Sequence, residues 1–171
     1  MFEIAPFITF HGIDGTGKTT AVASTVLLLR RMGVNALNYD QLDVDNPFTV
    51  AKKRVVAETP PAAQIAFYIG SALFHSDLIE RLTKKGSTVV KARYLDDILA
   101  HHGHLGVVNP EIMVSVFPFK QPDLRVVLTL DEDVRRKRIS QRGVVDEKDL
   151  QLVEPGSRLY YFQNTLLRIG Y

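Results

Sequence analysis

The sequence predicts a three-layer α/β domain, in which a parallel sheet of four or five strands carries helices on both faces. Short segments rich in β-branched and aromatic residues alternate with longer segments of helical periodicity. Strands that alternate with helices in this way pair in parallel through right-handed crossovers. The 171 residues, 46% of them hydrophobic, are enough for one core, and no internal repeat or Gly/Ser-rich linker divides them. We therefore expect a single domain over residues 1–171.

Four segments have the composition of strands. Each is short, rich in β-branched or aromatic residues, and bounded by turn or helix signals. In chain order they are FITF (Phe7 to Phe10), NALNY (Asn35 to Tyr39), TVVKA (Thr88 to Ala92) and RVVLTL (Arg125 to Leu130).

Five helices are expected between and after these strands. Prolines in a first turn, a capping aspartate and cations in a last turn mark their ends. The predicted helices run from Lys18 to Gly33, from Thr59 to Gly86, from Asn109 to Pro118, from Asp131 to about Gly143 and from about Pro155 to Ile169. The segment from Asp40 to Thr59 is the least patterned. It follows the carboxyl end of the second strand, the edge at which open α/β sheets bind ligands.

The stretch HGIDGTGKTT, His11 to Thr20, contains the Walker A pattern G-x-x-x-x-G-K-[ST] between a predicted strand and a predicted helix. Glycines in this pattern let backbone N–H groups face an anion, the lysine reaches the β and γ phosphates, and the hydroxyl after it ligates Mg²⁺. The start of the helix adds its positive dipole end. The pattern predicts a P-loop NTPase fold that binds a nucleoside triphosphate through Gly12, Asp14, Gly15, Thr16, Gly17, Lys18, Thr19 and Thr20, with Mg²⁺ on Thr19.

Composition limits the other functional classes. A net charge of +2 gives no large basic field for nucleic acid, and the lack of cysteine excludes disulfides and thiolate chemistry. The first residues lack the basic region of a signal peptide, and no apolar stretch reaches the length of a membrane span. We expect a cytoplasmic protein that binds neither nucleic acid nor a membrane.

Three segments resemble the thymidylate kinase family of nucleoside monophosphate kinases. They are FITFHGIDGTGKTT, GSTVVKARYLDDILAHHG (Gly86 to Gly103) and QPDLRVVLTLDEDVRRKRISQRG (Gln121 to Gly143). The resemblance implies ATP-dependent, Mg²⁺-requiring transfer of the γ-phosphoryl group to a nucleoside monophosphate or a close analogue. It also implies a lid at about residues 135–149 and a homodimer.

The chain departs from the family pattern at three positions. The aspartate that ends the family's third strand is replaced by Ala92, and the family's P-loop glutamate is replaced by His11. The arginine that grips the acceptor nucleotide falls near Ala72. Standard thymidylate specificity is therefore not expected.

Four cations are the candidates for phosphoryl transfer, a reaction that depends on positioned positive charge. Lys18 belongs to the loop, and Arg93 retains by resemblance the arginine just beyond the third strand. Arg138 and Arg142 share one helix face that could close over the phosphates. The alternatives are a surface ion pair for Arg93 and solvated charge for the lid arginines.

Five further residues are candidates for the acceptor side or the metal. By resemblance Asp14 faces the acceptor, Arg54 clamps its phosphate and His75 lies on the acceptor helix. Asp40 could orient or deprotonate an acceptor hydroxyl, or could start a turn. Asp96 could replace the metal carboxylate that Ala92 lacks, or could serve a helix first turn.

Two other functions remain open at this stage. One is a kinase that acts on a hydroxyl of a nucleoside or other small metabolite, with Asp40 or Asp14 as base. The other is an ATP-binding protein with little catalysis, which the loss of the carboxylate at Ala92 would explain.

Overall fold

A computed structural model of the chain describes residues 5–42, 46–102, 112, 115–141, 161, 163–165 and 167. Its strands are β1 (Phe7–His11), β2 (Ala36–Asn38), β3 (Thr88–Ala92) and β4 (Leu124–Val127). They form one parallel sheet in the order β2-β3-β1-β4. The predicted fold class is confirmed, with four strands in the part of the chain that the structure describes.

The register of the sheet brings the carboxyl ends of its central strands together. Phe10 of β1 lies beside Ala92 of β3, and His11 lies beside Val127 of β4. Residues that follow β1 and β3 therefore meet at one edge of the sheet, which is the ligand edge of open α/β folds.

Helices cover both faces of the sheet. Their bounds are α1 (Lys18–Arg31), α2 (Tyr39–Leu42), α3 (Pro47–Glu58), α4 (Pro61–Lys84), α5 (Leu95–His102) and α6 (Glu132–Ser140). The predicted cap of α6 is confirmed, because the Asp131 carboxylate accepts hydrogen bonds from the backbone N–H groups of Asp133 and Val134. Within the described ranges, no helix is both long and apolar enough to cross a bilayer.

Two buried clusters form the core, one on each side of the sheet. The larger joins β1 and β3 to α4 and α5, with Phe7, Ile65, Ile79 and Val89 among its members. The smaller packs α1 against the other face and includes Phe10, Val22, Val26, Ala36 and Val90. Because Val89 and Val90 are neighbours on one strand, they point to opposite faces and belong to different clusters.

The structure corrects the predicted segment from Asp40 to Thr59. Most of it is helical: Asn46 caps α3 by accepting from the backbone of Phe48, and Pro47 occupies the first turn, where its missing N–H costs nothing. Strand β2 is shorter than predicted, because Tyr39 already begins α2.

The other boundaries differ by a few residues. Strand β4 ends at Val127 rather than Leu130, and α6 ends at Ser140 rather than near Gly143. Half of the predicted helix at residues 109–118 is described, and residues 112, 115 and 116 are helical. Most of the predicted helix at 155–169 and all of residues 142–149 of the predicted lid lie outside the described residues. So does Arg142.

Candidate active site

The loop between β1 and α1 has a backbone that requires glycine at its first position. Gly12 has a φ of 140°, a conformation that residues with a side chain rarely adopt. A Cβ atom on Gly12 would lie 2.5 Å from the carbonyl oxygen of Leu128 and 2.9 Å from the Thr16 hydroxyl. The loop is therefore packed tightly against the chain that follows β4.

The Lys18 ammonium lies inside this loop. Its Nζ atom donates to the carbonyl oxygens of Gly12 and Ile13, both at 2.9 Å, and lies 3.4 Å from Asp14 Oδ1. Burial and the nearby positive charge of Arg93 lower the pKa of Lys18 to about 8, although Asp14 and Asp97 oppose that change. Such a cation gains a strong partner when an anion enters the loop.

A chain of ion pairs connects the loop to α5. Arg93 donates from one guanidinium nitrogen to Asp14 and from the other to Asp97 Oδ1, the latter at 3.0 Å. Burial alone would raise the pKa of Asp14, but the charges of Arg93 and Lys18 lower it to about 2. Burial likewise opposes the charge on Arg93, yet Asp97 and Asp14 raise its pKa above the usual value. Asp14, Lys18 and Arg93, three of the predicted site residues, thus lie together.

His11 lies buried beneath the loop, with 1% of its surface exposed. Its Nδ1 atom is hydrogen-bonded to Asp97 Oδ2, and its Nε2 atom lies 2.8 Å from the Thr9 hydroxyl and 3.2 Å from Asp96 Oδ2. The sequence showed His11 only as a departure from a family pattern. Its carboxylate partners lie on α5, so their proximity depends on the fold.

Helix α6 packs directly on the loop, and its contact residue was not predicted. Arg135 has no exposed surface; it donates to both carboxylate oxygens of Glu132, at 2.8 and 2.6 Å, and to the backbone oxygen of Asp14 at 3.3 Å. A Cβ atom on Gly15 would lie only 2.8 Å from Arg135 Cγ. The only sequence signal for Arg135 is its place in the basic run RRKR.

Arg138, which was predicted, also lies at the loop. Its guanidinium nitrogen is 3.7 Å from the position that a Cβ atom on Gly17 would occupy. Arg138 is otherwise exposed. A role for Arg138 in ligand binding stays a prediction.

Asp40 borders the site at the end of β3. One carboxylate oxygen accepts from Lys91 Nζ and the other from the backbone N–H of Ala92, each at 3.0 Å. The Asp40 carboxylate therefore contacts the backbone of Ala92, the position at which the family pattern has an aspartate. Its role in the site stays a prediction.

The remaining acceptor candidates lie on α3 and α4. Both ring nitrogens of His75 are hydrogen-bonded: Nδ1 lies 2.9 Å from the Tyr39 hydroxyl, and Nε2 lies 3.1 Å from the Ser71 hydroxyl. Arg54 is exposed and pairs with Glu58 one turn later on α3. Roles for His75 and Arg54 in acceptor binding stay predictions.

The side chains around the loop suit a metal ion that is bound together with a triphosphate better than a metal ion held by the protein alone. Thr19 is exposed in the first turn of α1, beside Lys18, where its hydroxyl can ligate a hard cation together with phosphate oxygens. Asp96 is buried and paired with His11 and with Arg125 Nε at 3.1 Å. Burial raises the pKa of Asp96, while His11 and Arg125 oppose that rise. Among the described residues, no three His, Asp or Glu side chains are grouped so as to hold a metal ion.

Known proteins match most of the chain. The sequence model of the thymidylate kinase family matches residues 10–154. A probable thymidylate kinase of Caldivirga maquilingensis is 28% identical over 145 residues, which cover 82% of this chain and 70% of that protein. A thymidylate kinase of Deinococcus radiodurans is 30% identical over 149 residues, which cover 82% and 72%. The crystal structure of thymidylate kinase from Ehrlichia chaffeensis superposes with a TM-score of 0.60 at 19% identity, covering 78% of this chain and 81% of that one.

Proposed function

The chain belongs to the thymidylate kinase family, and from this premise we propose that it transfers the γ-phosphoryl group of ATP to a nucleoside monophosphate. The observation that carries the proposal is the loop at residues 12–19. Its backbone forms a concave cradle and the Lys18 ammonium is held inside it by two carbonyl oxygens. A triphosphate would replace those carbonyls as the partner of the ammonium, and a charge-assisted contact to phosphate is the stronger one.

Positioned cations supply most of what this reaction requires from a protein. When bound, MgATP supplies the electrophilic phosphorus and the metal charge. Lys18 and the N-terminus of α1 hold the phosphate chain, and the exposed hydroxyl of Thr19 is placed for the metal. Arg93 lies across the loop at Asp14, where its guanidinium can bind the transferred or accepting phosphate.

Helix α6 provides the covering side of the site. Arg138 lies next to Gly17. The helix ends at Ser140, so a shared helical face with Arg142 is no longer an argument, and Arg142 lies outside the described residues. We assign to Arg138 the charge that contacts the phosphates from the side of α6. Covering the site also excludes water, which limits hydrolysis of the triphosphate.

The acceptor enters, in this proposal, along the ends of β2 and β3. Asp14 faces it from the loop, while Asp40, Arg54 and His75 border it from α2, α3 and α4. Both oxygens of Asp40 already accept hydrogen bonds. Each carboxylate oxygen keeps a second lone pair, so these contacts do not distinguish a phosphate acceptor from a hydroxyl acceptor. The support for a phosphate acceptor is the family match.

A product screen tests the proposal. The purified protein is incubated with MgATP and a panel of nucleoside monophosphates, nucleosides and sugars, and products are separated by ion-exchange chromatography. We expect a nucleoside diphosphate from at least one monophosphate. Lys18→Ala removes the loop cation and is expected to lower turnover by about 10²- to 10³-fold, the loss typical of removing one charge-stabilising group.

A matched variant and two other outcomes complete the test. Lys84→Ala removes an exposed lysine that pairs with Glu80 at the end of α4 and is expected to keep full activity. Turnover of nucleosides or sugars with none of any monophosphate would replace the proposal by a hydroxyl kinase. Calorimetric binding of MgATP without turnover of any acceptor would leave a nucleotide-binding protein instead.

We also propose a homodimer and a cytoplasmic location. The support for the dimer is the family resemblance together with exposed apolar residues on α1, where Leu27 and Leu28 are 51% and 58% exposed. Light scattering after size-exclusion chromatography measures the state directly. A monomer at micromolar concentration would contradict this part of the proposal.

A further inference from the structure

The base of the phosphate loop contains a buried polar cluster that phosphoryl transfer does not by itself require. His11 is the last residue of β1 and directly precedes Gly12. Both of its ring nitrogens face side-chain oxygens of residues that are almost fully buried: Thr9, Asp96 and Asp97. Burying a polar group costs free energy unless the group is hydrogen-bonded. A buried cluster in which each group has a partner therefore fixes the positions of its side chains.

We propose that His11 is a positioning residue of the phosphate loop: through Asp97 it fixes the guanidinium of Arg93 against Asp14. This role presupposes the phosphoryl transfer proposed above. The chain of contacts runs from His11 Nδ1 to Asp97 Oδ2, from Asp97 Oδ1 to Arg93, and from the second guanidinium nitrogen of Arg93 to Asp14. One carboxylate oxygen of Asp97 therefore contacts His11, and the other contacts Arg93.

The backbone at Arg93 shows that this arrangement is enforced. Arg93 has a φ of 60°, and it is the one residue other than glycine with a positive φ among those that the structure describes. A long side chain is unfavourable in this left-handed conformation, and it persists only where surrounding contacts determine it. Those contacts are the hydrogen bond from its N–H to Phe10 at 2.9 Å and the two carboxylates at its guanidinium.

The side chain of Arg93 needs this support because it crosses from β3 to the loop while remaining 39% exposed. Without Asp97 held in place, the guanidinium retains only Asp14, whose side chain is 40% exposed and also pairs with Lys18. Asp97 is 5% exposed. His11 is thus the buried partner that prevents Asp97 from turning away from Arg93.

The geometry separates the two nitrogens of the imidazole. Contact with Asp97 requires a proton on Nδ1, whereas Nε2 can accept from the Thr9 hydroxyl or, when protonated, donate to Asp96. Asparagine places its amide nitrogen near the position of Nδ1, and glutamine places its own near Nε2. His11→Asn consequently keeps an N–H donor directed at Asp97, whereas His11→Gln moves the donor to the position of Nε2, which faces Thr9 and Asp96.

Steady-state kinetics on the active monophosphate compare these two variants with the wild-type protein. His11→Gln is expected to lower kcat by about 10- to 100-fold, as misplacement of a supporting contact does, with KM for ATP changed less than about threefold. His11→Asn is expected to stay within about fivefold of wild type in kcat. Equal losses in both variants, with equal losses of urea stability, would mean that His11 only packs the core and would overturn the proposal.

Amide hydrogen exchange gives a readout that does not depend on activity. His11→Gln is expected to speed exchange in peptides that contain residues 12–17 and 93–97, and His11→Asn is not. Unchanged exchange in both variants would refute the positioning role even if kcat falls. If the wild-type protein phosphorylates no monophosphate, the proposed function fails, and the exchange data still decide whether His11 orders the loop.

Discussion

Replacement of Arg135 by methionine tests whether the buried guanidinium fastens α6 to the phosphate loop. Among the residues that the structure describes, Arg135 is the largest fully buried side chain. Methionine keeps the apolar contacts of the arginine stem but lacks the guanidinium group, so the change removes the hydrogen bonds while much of the packing remains. The lost contacts are the two to Glu132 and the one to the backbone oxygen of Asp14.

The expected loss of stability follows from these contacts. A hydrogen bond to a charged partner contributes about 1.5–3 kcal/mol, and breaking a buried ion pair from one side costs about 3–5 kcal/mol. The Glu132 side chain is 28% exposed, so water replaces part of what it loses. We therefore expect Arg135→Met to lower the free energy of unfolding by about 2–3 kcal/mol, below the range for a fully buried pair.

Urea denaturation measures this loss, with Arg136→Met as the matched control. Arg136 is the next residue of the same helix and is exposed, so its replacement is expected to change stability by less than about 0.5 kcal/mol. A double-mutant cycle with Glu132→Gln separates the ion pair from the contact to Asp14. In the Glu132→Gln background the ion pair is already absent, so the further loss of stability on Arg135→Met reports the contact to Asp14. If Arg135→Met is no more destabilising than Arg136→Met, α6 is not fastened to the loop in this way.

Three further predictions concern the same region. Because the pKa of Lys18 is about 8, MgATP binding is expected to take up a proton above about pH 8 and to weaken as the pH rises. Calorimetry in buffers of different ionisation enthalpy measures the proton uptake. A constant uptake from pH 7 to 9.5 would contradict the prediction. The pKa of Asp14 is lowered from 3.8 to about 2, so its ion pairs stabilise the fold above about pH 4 and are lost as the pH falls through 2; Asp14→Asn is expected to flatten the acid unfolding curve. Gly15→Ala is expected to lower the free energy of unfolding in urea by about 2–4 kcal/mol, because Gly15 has a φ of 92° and a Cβ atom would meet α6. Gly33 has a φ of 80° but open space around it, so Gly33→Ala is expected to lower it by about 1 kcal/mol. Equal losses in the two variants would rule out the contact with α6.

A last prediction concerns Tyr94, which follows Arg93. Its hydroxyl is buried and makes no hydrogen bond of good geometry to any described residue. Burial raises its pKa to about 12, although the side chain of Ser76 lies near enough to oppose that rise. Tyr94→Phe is expected to leave thermal stability unchanged or to raise it by up to about 1 kcal/mol, since an unsatisfied buried hydroxyl is removed. A clear loss of stability would show that the hydroxyl is satisfied in solution.

The sequence predicts local features of this fold well. The Walker A spacing, the strand TVVKA and the cap at Asp131 each depend on residues close together in the chain, and the structure confirms the strand and the cap as predicted. The start of helix α3 was not predicted because its signal is short: an asparagine cap and one proline in the first turn.

Features that depend on distant contacts were not predictable in the same way. His11 and Asp97 are 86 positions apart, and Arg135 contacts the Asp14 carbonyl over 121 positions. In the sequence, Arg135 stands in a basic run, and such runs are usually solvated. The close packing against Gly15 and the hydrogen bonds to Glu132 and the Asp14 carbonyl distinguish the buried Arg135 from the exposed Arg136 and Arg138.

The contact between Gly15 and Arg135 ties together two positions that are far apart in the gene. Space for one side chain exists between the loop and α6, and in this protein the helix fills it. A side chain at position 15 needs a smaller residue at 135, and even then it meets Ile139 and adopts a φ that favours glycine. A library that varies both codons together should therefore keep glycine at 15 in most folded members and recover alanine there only with a smaller residue at 135.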